Sequence, residues 1–169
     1  MRISRIGVVG LAAAAMLASG AGYALAASPG ATLSGNLHLS VMTTEPSGAR
    51  GVVITNGLFT AGGSVIRLTK VTGFVKLPNG TFRVHLGAVI TPPKSTTPNP
   101  LTCLVAFSAK YNITIAQGTL QYKGLTGTGT ATINEVALYT KNKAHRCATG
   151  KNPAQREVVI NANAAVSLP

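Results

Sequence analysis

Apolar and polar residues alternate along most of this chain of 169 residues, and this alternation restricts it to β-strands. In the clearest case, residues 81–90, one face carries Phe82, Val84, Leu86, Ala88 and Ile90. Residues 157–168 repeat the pattern, and after residue 26 no segment has the three- and four-residue spacing of an amphipathic helix. About eight such segments indicate an all-β fold, either a closed barrel or a sandwich.

Glycine and proline mark the connections between these segments. Pro-Asn-Gly at residues 78–80 is a strong signal for a short hairpin turn. Residues 91–100 are predicted to be a loop, because proline cannot donate to a β-ladder and this stretch holds Pro92, Pro93, Pro98 and Pro100. Residues 141–153 are polar and basic and form the second predicted loop.

The first 26 residues have the order of a secretory signal peptide. Arg2 and Arg5 precede an apolar run over residues 6–17, and Ala-Leu-Ala at residues 24–26 is typical of a cleavage site. The alternative is a membrane anchor, for which the run is short. The sequence therefore predicts a secreted protein without a transmembrane segment in its mature chain. It has a cleaved signal peptide (1–26), a flexible tail (27–34) and one β-barrel domain (35–169).

Cys103 and Cys147 are the two cysteines of the chain. In an exported protein, an even pair predicts one structural disulfide. A redox or metal pair is the alternative, but the chain has no C-x-x-C spacing, and His145 beside Cys147 does not complete a zinc site. We therefore expect a disulfide, no metal site and no cofactor.

The charge of the chain is strongly positive, at +12, and falls to +10 when Arg2 and Arg5 leave with the signal peptide. All three acidic residues are glutamates, so there is no aspartate. A polyanion partner such as an acidic envelope polymer is one interpretation, and simple solubility is the other. The best candidate surface lies around the second loop and consists of Lys141, Lys143, Arg146, Lys151 and Arg156. No specific nucleic-acid motif accompanies it.

Candidates for catalysis are few. Glu135 shares a strand face with Ala131, Ile133 and Ala137, so it becomes a carboxylate in an apolar lumen if that face points inward. The alternative is that Glu135 faces water or pairs with a Lys or Arg. Without aspartate, no Ser-His-Asp triad is possible.

Tyrosine hydroxyls are the other weak candidates for a ligand or substrate site. Tyr111 and Tyr139 lie on predicted strands and could present their hydroxyls to a ligand. Such tyrosines are more often aromatic residues of a core or rim.

Several segments resemble, in the right order, barrels related to allene oxide cyclase and plant dirigent proteins, which include small exported bacterial proteins. GTLQYKGLTGTGT at residues 118–130 resembles their glycine-rich hairpin, and NGTFRV at residues 79–84 resembles a second hairpin. Leu-Thr-Cys at residues 101–103 with Cys147 resembles their paired cysteines, and residues 158–168 resemble their closing strand. In this chain Leu120 stands where the hairpin usually has its middle glycine.

The resemblance implies an eight-stranded antiparallel barrel whose lumen takes a small apolar ligand. It leads to a first hypothesis of a secreted barrel that binds such a ligand without catalysis. The second hypothesis is an isomerase or cyclase of the allene oxide cyclase type, with Glu135 as its acid. The third is a protein that interacts with the cell envelope or another polyanion through its basic surface.

Overall fold

The computed structural model describes residues 32–44, 50–69, 71–150 and 152–169. The predicted signal peptide, most of the predicted tail and Lys151 lie outside these residues. Eight strands make up the fold: β1 (Leu33–Thr43), β2 (Gly51–Gly57), β3 (Ala61–Leu68), β4 (Thr72–Leu77), β5 (Gly80–Ser95), β6 (Leu104–Ala116), β7 (Thr126–Leu138) and β8 (Gln155–Leu168). A 3-10 turn, Leu120–Tyr122, lies between β6 and β7.

The strands form a closed antiparallel barrel in which each strand pairs with the next and β8 pairs with β1. This confirms the prediction of an all-β, eight-stranded antiparallel fold. One row of inward-pointing side chains crosses five neighbouring strands through Tyr111, Ala131, Ala162, Leu39 and Thr55. Alternation therefore buries one face of each strand in a common core, where Leu37, Val53 and Phe82 are fully buried.

β1 begins earlier than the start of the barrel domain that the sequence predicts at residue 35. β1 begins at Leu33, because Leu33 and Ser34 pair with Leu168 and Ser167 at the end of β8.

The predicted loop at residues 91–100 is wrong for its first half, because β5 continues through both prolines to Ser95. β4 pairs with β5 only as far as His85, so this part of β5 has one neighbour, β6. Its pairing with β6 is interrupted by three register shifts. Proline is tolerated in such an edge strand because few ladder hydrogen bonds are required of it.

The two ends of the barrel differ, since every second connection of an up-and-down barrel lies at the same end. The connections β2–β3, β4–β5 and β6–β7 close one end, which we call the plugged end. The connections β1–β2, β3–β4, β5–β6 and β7–β8 lie at the other, which we call the basic end because of its cations.

Candidate functional site

The barrel lumen is filled by its own side chains. It retains an apolar cavity of about 50 Å³. Its lining comes from six strands and comprises Leu39, Val41, Val65, Thr72, Gly73, Val75, Val84, Leu86, Ala131, Ile160 and Ala162. Sites for drug-sized molecules have volumes of roughly 300–1,000 Å³. A ligand of that size therefore requires the lining side chains to move.

Three aromatic rings close the plugged end. The ring of Phe59 lies 6.2 Å from that of Phe82 and 4.9 Å from that of Tyr122, and Phe82 and Tyr122 are 5.9 Å apart between centroids. Burial raises the pKa of the Tyr122 hydroxyl. The segment carrying Tyr122 is fixed to β5, since the Thr119 N–H donates to the Thr81 carbonyl at 2.8 Å and the Thr81 N–H donates to the Thr119 hydroxyl at 3.0 Å. Entry to the lumen from this end is blocked.

Glu135 lies on the inner face of β7, towards the basic end, and is paired with Arg156. Its Oε1 atom is 2.8 Å from Nε of Arg156, and the two side chains are 20% and 28% exposed. The N–H of that nitrogen does not align with the oxygen for a hydrogen bond, so the contact is an ion pair by proximity. The face of β7 that carries Glu135 therefore points inward, and the carboxylate also has the cationic partner that the sequence offered as the alternative.

The candidate catalytic residues do not form one cluster. Tyr111 pairs with Ala131, four residues along β7 from Glu135, and Tyr139 is four residues from Glu135 in the other direction. At about 3.3 Å per residue, each tyrosine Cα lies roughly 13 Å along the strand direction from the level of Glu135. In the described segments, no group of three or more His, Cys, Asp or Glu side chains could hold a metal ion.

The predicted disulfide is confirmed, with a Cα–Cα distance of 5.3 Å between Cys103 and Cys147. It joins the β5–β6 connection to the β7–β8 connection at the basic end. The second of these is a compact loop, because the Asn142 side-chain oxygen accepts hydrogen bonds from the N–H groups of Ala144 and Arg146, both at 3.0 Å. The backbone that carries the cations of this loop is therefore held in place.

Six exposed cations from different parts of the sequence lie at the basic end. Lys141, Lys143 and Arg146 belong to the β7–β8 connection, and the other three come from the ends of β2, β3 and β5. These three are Arg50, Arg67 and Lys94. None of the six forms an ion pair with another described residue. Glu157 is the exposed acid at this end among the residues the structure describes. The result is a surface with a marked excess of positive charge.

The sequence predicts part of this surface, but one of the predicted residues, Arg156, does not share its exposure. Arg156 points to the inner face and pairs with Glu135, so its charge is compensated. Arg50, Arg67 and Lys94 were missed because each is isolated in sequence. The signal that could find them is the order of the connections, since alternate connections of a barrel share an end.

Comparison of the chain with known protein families, characterised proteins and solved structures finds no match. Across the described segments, no helix has the length and hydropathy needed to cross a membrane.

Proposed function

We propose that this is a secreted, non-enzymatic binding protein that attaches to an anionic component of the cell envelope through its basic end. The observation that carries the proposal is the location of six exposed cations, unpaired among the described residues, at one end of the barrel, where they come from four connections or strand ends. Spread over the surface, such charges mainly provide solubility, whereas gathered at one end they create a directed positive potential. The disulfide, which pins two of the connections, supports a preformed surface.

Two further observations favour surface binding over chemistry in the lumen. The lumen cavity of about 50 Å³ is small for a substrate. Glu135 is engaged by Arg156 and is separated along the sheet from Tyr111 and Tyr139. Kinship with allene oxide cyclase and dirigent-like barrels remains part of the proposal, supported by the eight-stranded closed topology.

The test is binding of inorganic polyphosphate to the chain from residue 27 onward. A variant of the basic end replaces Lys141, Lys143 and Arg146 with glutamine. The control variant also replaces two lysines and one arginine with glutamine, but at the plugged end. These residues are Lys76, Lys123 and Arg83. We expect the first variant to weaken binding at least tenfold and the control to weaken it less than threefold, since nearby charges dominate at physiological salt.

Equal weakening in the two variants would reduce the effect to net charge and contradict a directed site. Absence of polyphosphate binding in the unmodified chain would also contradict the proposal.

A second candidate function is binding of a small apolar molecule in the lumen. The cavity lining favours it, because most of the lining side chains are hydrocarbon. Its test is native mass spectrometry of the protein recovered from the medium into which it is secreted. A retained apolar molecule that is released on unfolding would support this candidate. A mass equal to that of the oxidised chain alone would count against it.

A further inference from the structure

Exposed apolar side chains gather at the same end of the barrel as the cations. Leu120 at the plugged end and Ile54 near the middle of β2 are the exceptions among the large exposed apolar residues that the structure describes. The others lie on the connections or on the strand portions next to the basic end: Met42, Val52, Ile66, Val71, Val89, Ile90, Leu101, Leu104 and Val136. The basic end is thus amphipathic rather than simply charged.

Leu101 is the most exposed of these residues, at 82%, and lies at the tip of the β5–β6 connection. The tip is an ordered turn. The Asn99 side-chain oxygen accepts hydrogen bonds from the N–H groups of Leu101 and Thr102, at 2.9 and 3.2 Å, and the Asn99 carbonyl accepts one from the Cys103 N–H at 2.7 Å. The turn therefore holds the leucine side chain in water without a local partner.

The disulfide brings this apolar tip to the loop of cations. Cys103, two residues after Leu101, is bonded to Cys147, which directly follows Arg146. Cys147 also pairs with Lys141 in a short antiparallel bridge, so the loop with Lys143 at its centre folds back beside the tip. One leucine and three cations are thus presented by two covalently joined connections.

An exposed leucine beside three cations favours one class of anionic partner over another. A soluble polyanion satisfies the cations but leaves the leucine in water, whereas the interface of an anionic bilayer offers phosphates and an apolar layer together. A second copy of the same end is disfavoured, because its cations would repel those of the first.

We propose that the basic end docks on an anionic lipid bilayer, with Leu101 inserted among the acyl chains and Lys141, Lys143 and Arg146 bound to lipid phosphates. The proposal rests on the proposed function, since it names the class of anionic partner that the basic end binds. The rigid turn and the disulfide reduce the ordering required on docking, because both elements are already fixed in the free protein.

The chain has no tryptophan, which permits a direct test of insertion. Leu101→Trp places a single fluorophore at the proposed point of contact. Leu120→Trp places one at the plugged end, on another loop leucine that is 77% exposed. With phosphatidylglycerol vesicles, we expect the emission of Leu101→Trp to shift to shorter wavelength and to be quenched by brominated acyl chains. We expect the emission of Leu120→Trp to remain unchanged. Phosphatidylcholine vesicles should change the emission of neither variant.

A second pair of variants separates insertion from charge. Leu101→Ser should weaken binding to phosphatidylglycerol vesicles about tenfold, because burial of a leucine side chain is lost, and should leave polyphosphate binding unchanged. Leu120→Ser should change neither. Replacement of one of the three cations should weaken vesicle binding about fivefold.

The outcomes distinguish the two proposals. Polyphosphate binding without vesicle binding would overturn the bilayer as partner and leave the basic end as a polyanion site. Vesicle binding that Leu101→Ser does not weaken, or equal spectral shifts in the two tryptophan variants, would also overturn insertion by this tip. If the protein binds neither polyphosphate nor phosphatidylglycerol vesicles, both proposals are overturned.

Discussion

Leu120 occupies a backbone conformation that favours glycine. Its φ is +52°, in the left-handed region, and its side chain is 77% exposed. A side chain there is strained against its own backbone and gains little from packing.

Replacement of Leu120 by glycine should therefore raise the free energy of unfolding. Relief of the left-handed conformation is worth about 1–2 kcal/mol, and the added freedom of glycine in the unfolded chain costs about 0.5–1 kcal/mol, so we expect a gain of up to about 1.5 kcal/mol. Denaturant unfolding measures it. Leu101→Gly is the control, because Leu101 is equally exposed without a positive φ, and it should lower stability. A loss of stability in Leu120→Gly would contradict the backbone argument.

Tyr122 should make the protein less stable in alkali. Burial raises the pKa of its hydroxyl in the folded state, so the unfolded chain releases this proton at a lower pH than the folded chain. The contribution is complete below pH 10 or so and is lost as the pH rises towards the folded-state value. We expect the melting temperature of the unmodified chain to fall more steeply above pH 10 than that of Tyr122→Phe.

Tyr111→Phe controls for loss of a tyrosine hydroxyl as such. Identical pH dependence in the unmodified chain and Tyr122→Phe would refute a role for the buried phenol in this loss of stability.

Glu135 shows how far residue-level prediction reaches. Alternation along β7 was sufficient to place its side chain on the same face as those of Ala131 and Ala137, but it left open whether that face points inward, which the structure shows it does. Its partner could not be predicted, because the contact with Arg156 depends on the β7–β8 register, in which Ala137 is opposite Arg156. Register is a property of two strands, and the pattern of one strand does not contain it.

The pairing of β7 with β8 depends on the absence of a side chain at Gly129. A Cβ atom there would clash with the backbone carbonyl of Asn163 and lie 2.5 Å from Cα of Ala164. Because backbone cannot rotate away as a flexible side chain can, β8 would have to shift.

We expect Gly129→Ala to destabilise the protein by about 1–3 kcal/mol, the usual cost of overpacking. Gly62→Ala on β3 is the matched control, since a Cβ there meets no atom within 4 Å, and it should be neutral or slightly stabilising. Chemical denaturation of both variants measures the difference. Equal stability of the two would contradict the close approach of β7 and β8.

The disulfide acts on two elements that the sheet does not join directly. Its cysteines are 44 residues apart, and closing a loop of this size should stabilise the fold by about 4 kcal/mol in the chain-entropy treatment. We expect the free energy of unfolding of the Cys103→Ser/Cys147→Ser variant to fall by up to this amount in denaturant unfolding. The variant should also bind polyphosphate more weakly, because the β7–β8 connection with its cations is no longer tied to the β5–β6 connection. Full stability and full binding in that variant would contradict the structural role.

Prediction at the level of elements was accurate for strands and less so for their ends. The hairpin signal at residues 78–80 corresponds to the β4–β5 connection, and the loop at 141–153 lies within the β7–β8 connection. The prolines at 92 and 93 were misleading, because whether proline excludes a strand depends on whether that strand has a second neighbour. β5 lacks one beyond His85.

The molecule as a whole has an axis with unlike ends, one filled by aromatic rings and the other bearing cations and exposed apolar side chains. Alternation predicted strands but left a barrel and a sandwich open, and the resemblance implied the barrel. Closure depends on the β1–β8 pairing, which joins segments more than a hundred residues apart. The basic end could be predicted only in part for the same reason, since Arg50, Arg67 and Lys94 meet the second loop only through the closed topology.

The salt dependence of polyphosphate binding tests the central claim most directly. We expect the logarithm of the binding constant to fall with the logarithm of salt concentration, with a slope of about −3 or steeper, as bound counterions are released. Replacing Lys141, Lys143 and Arg146 with glutamine should make the slope shallower by about 2, whereas replacing Lys76, Arg83 and Lys123 should leave it unchanged. Binding that does not respond to salt, or the same change of slope in both variants, would contradict a directed anionic site at the basic end.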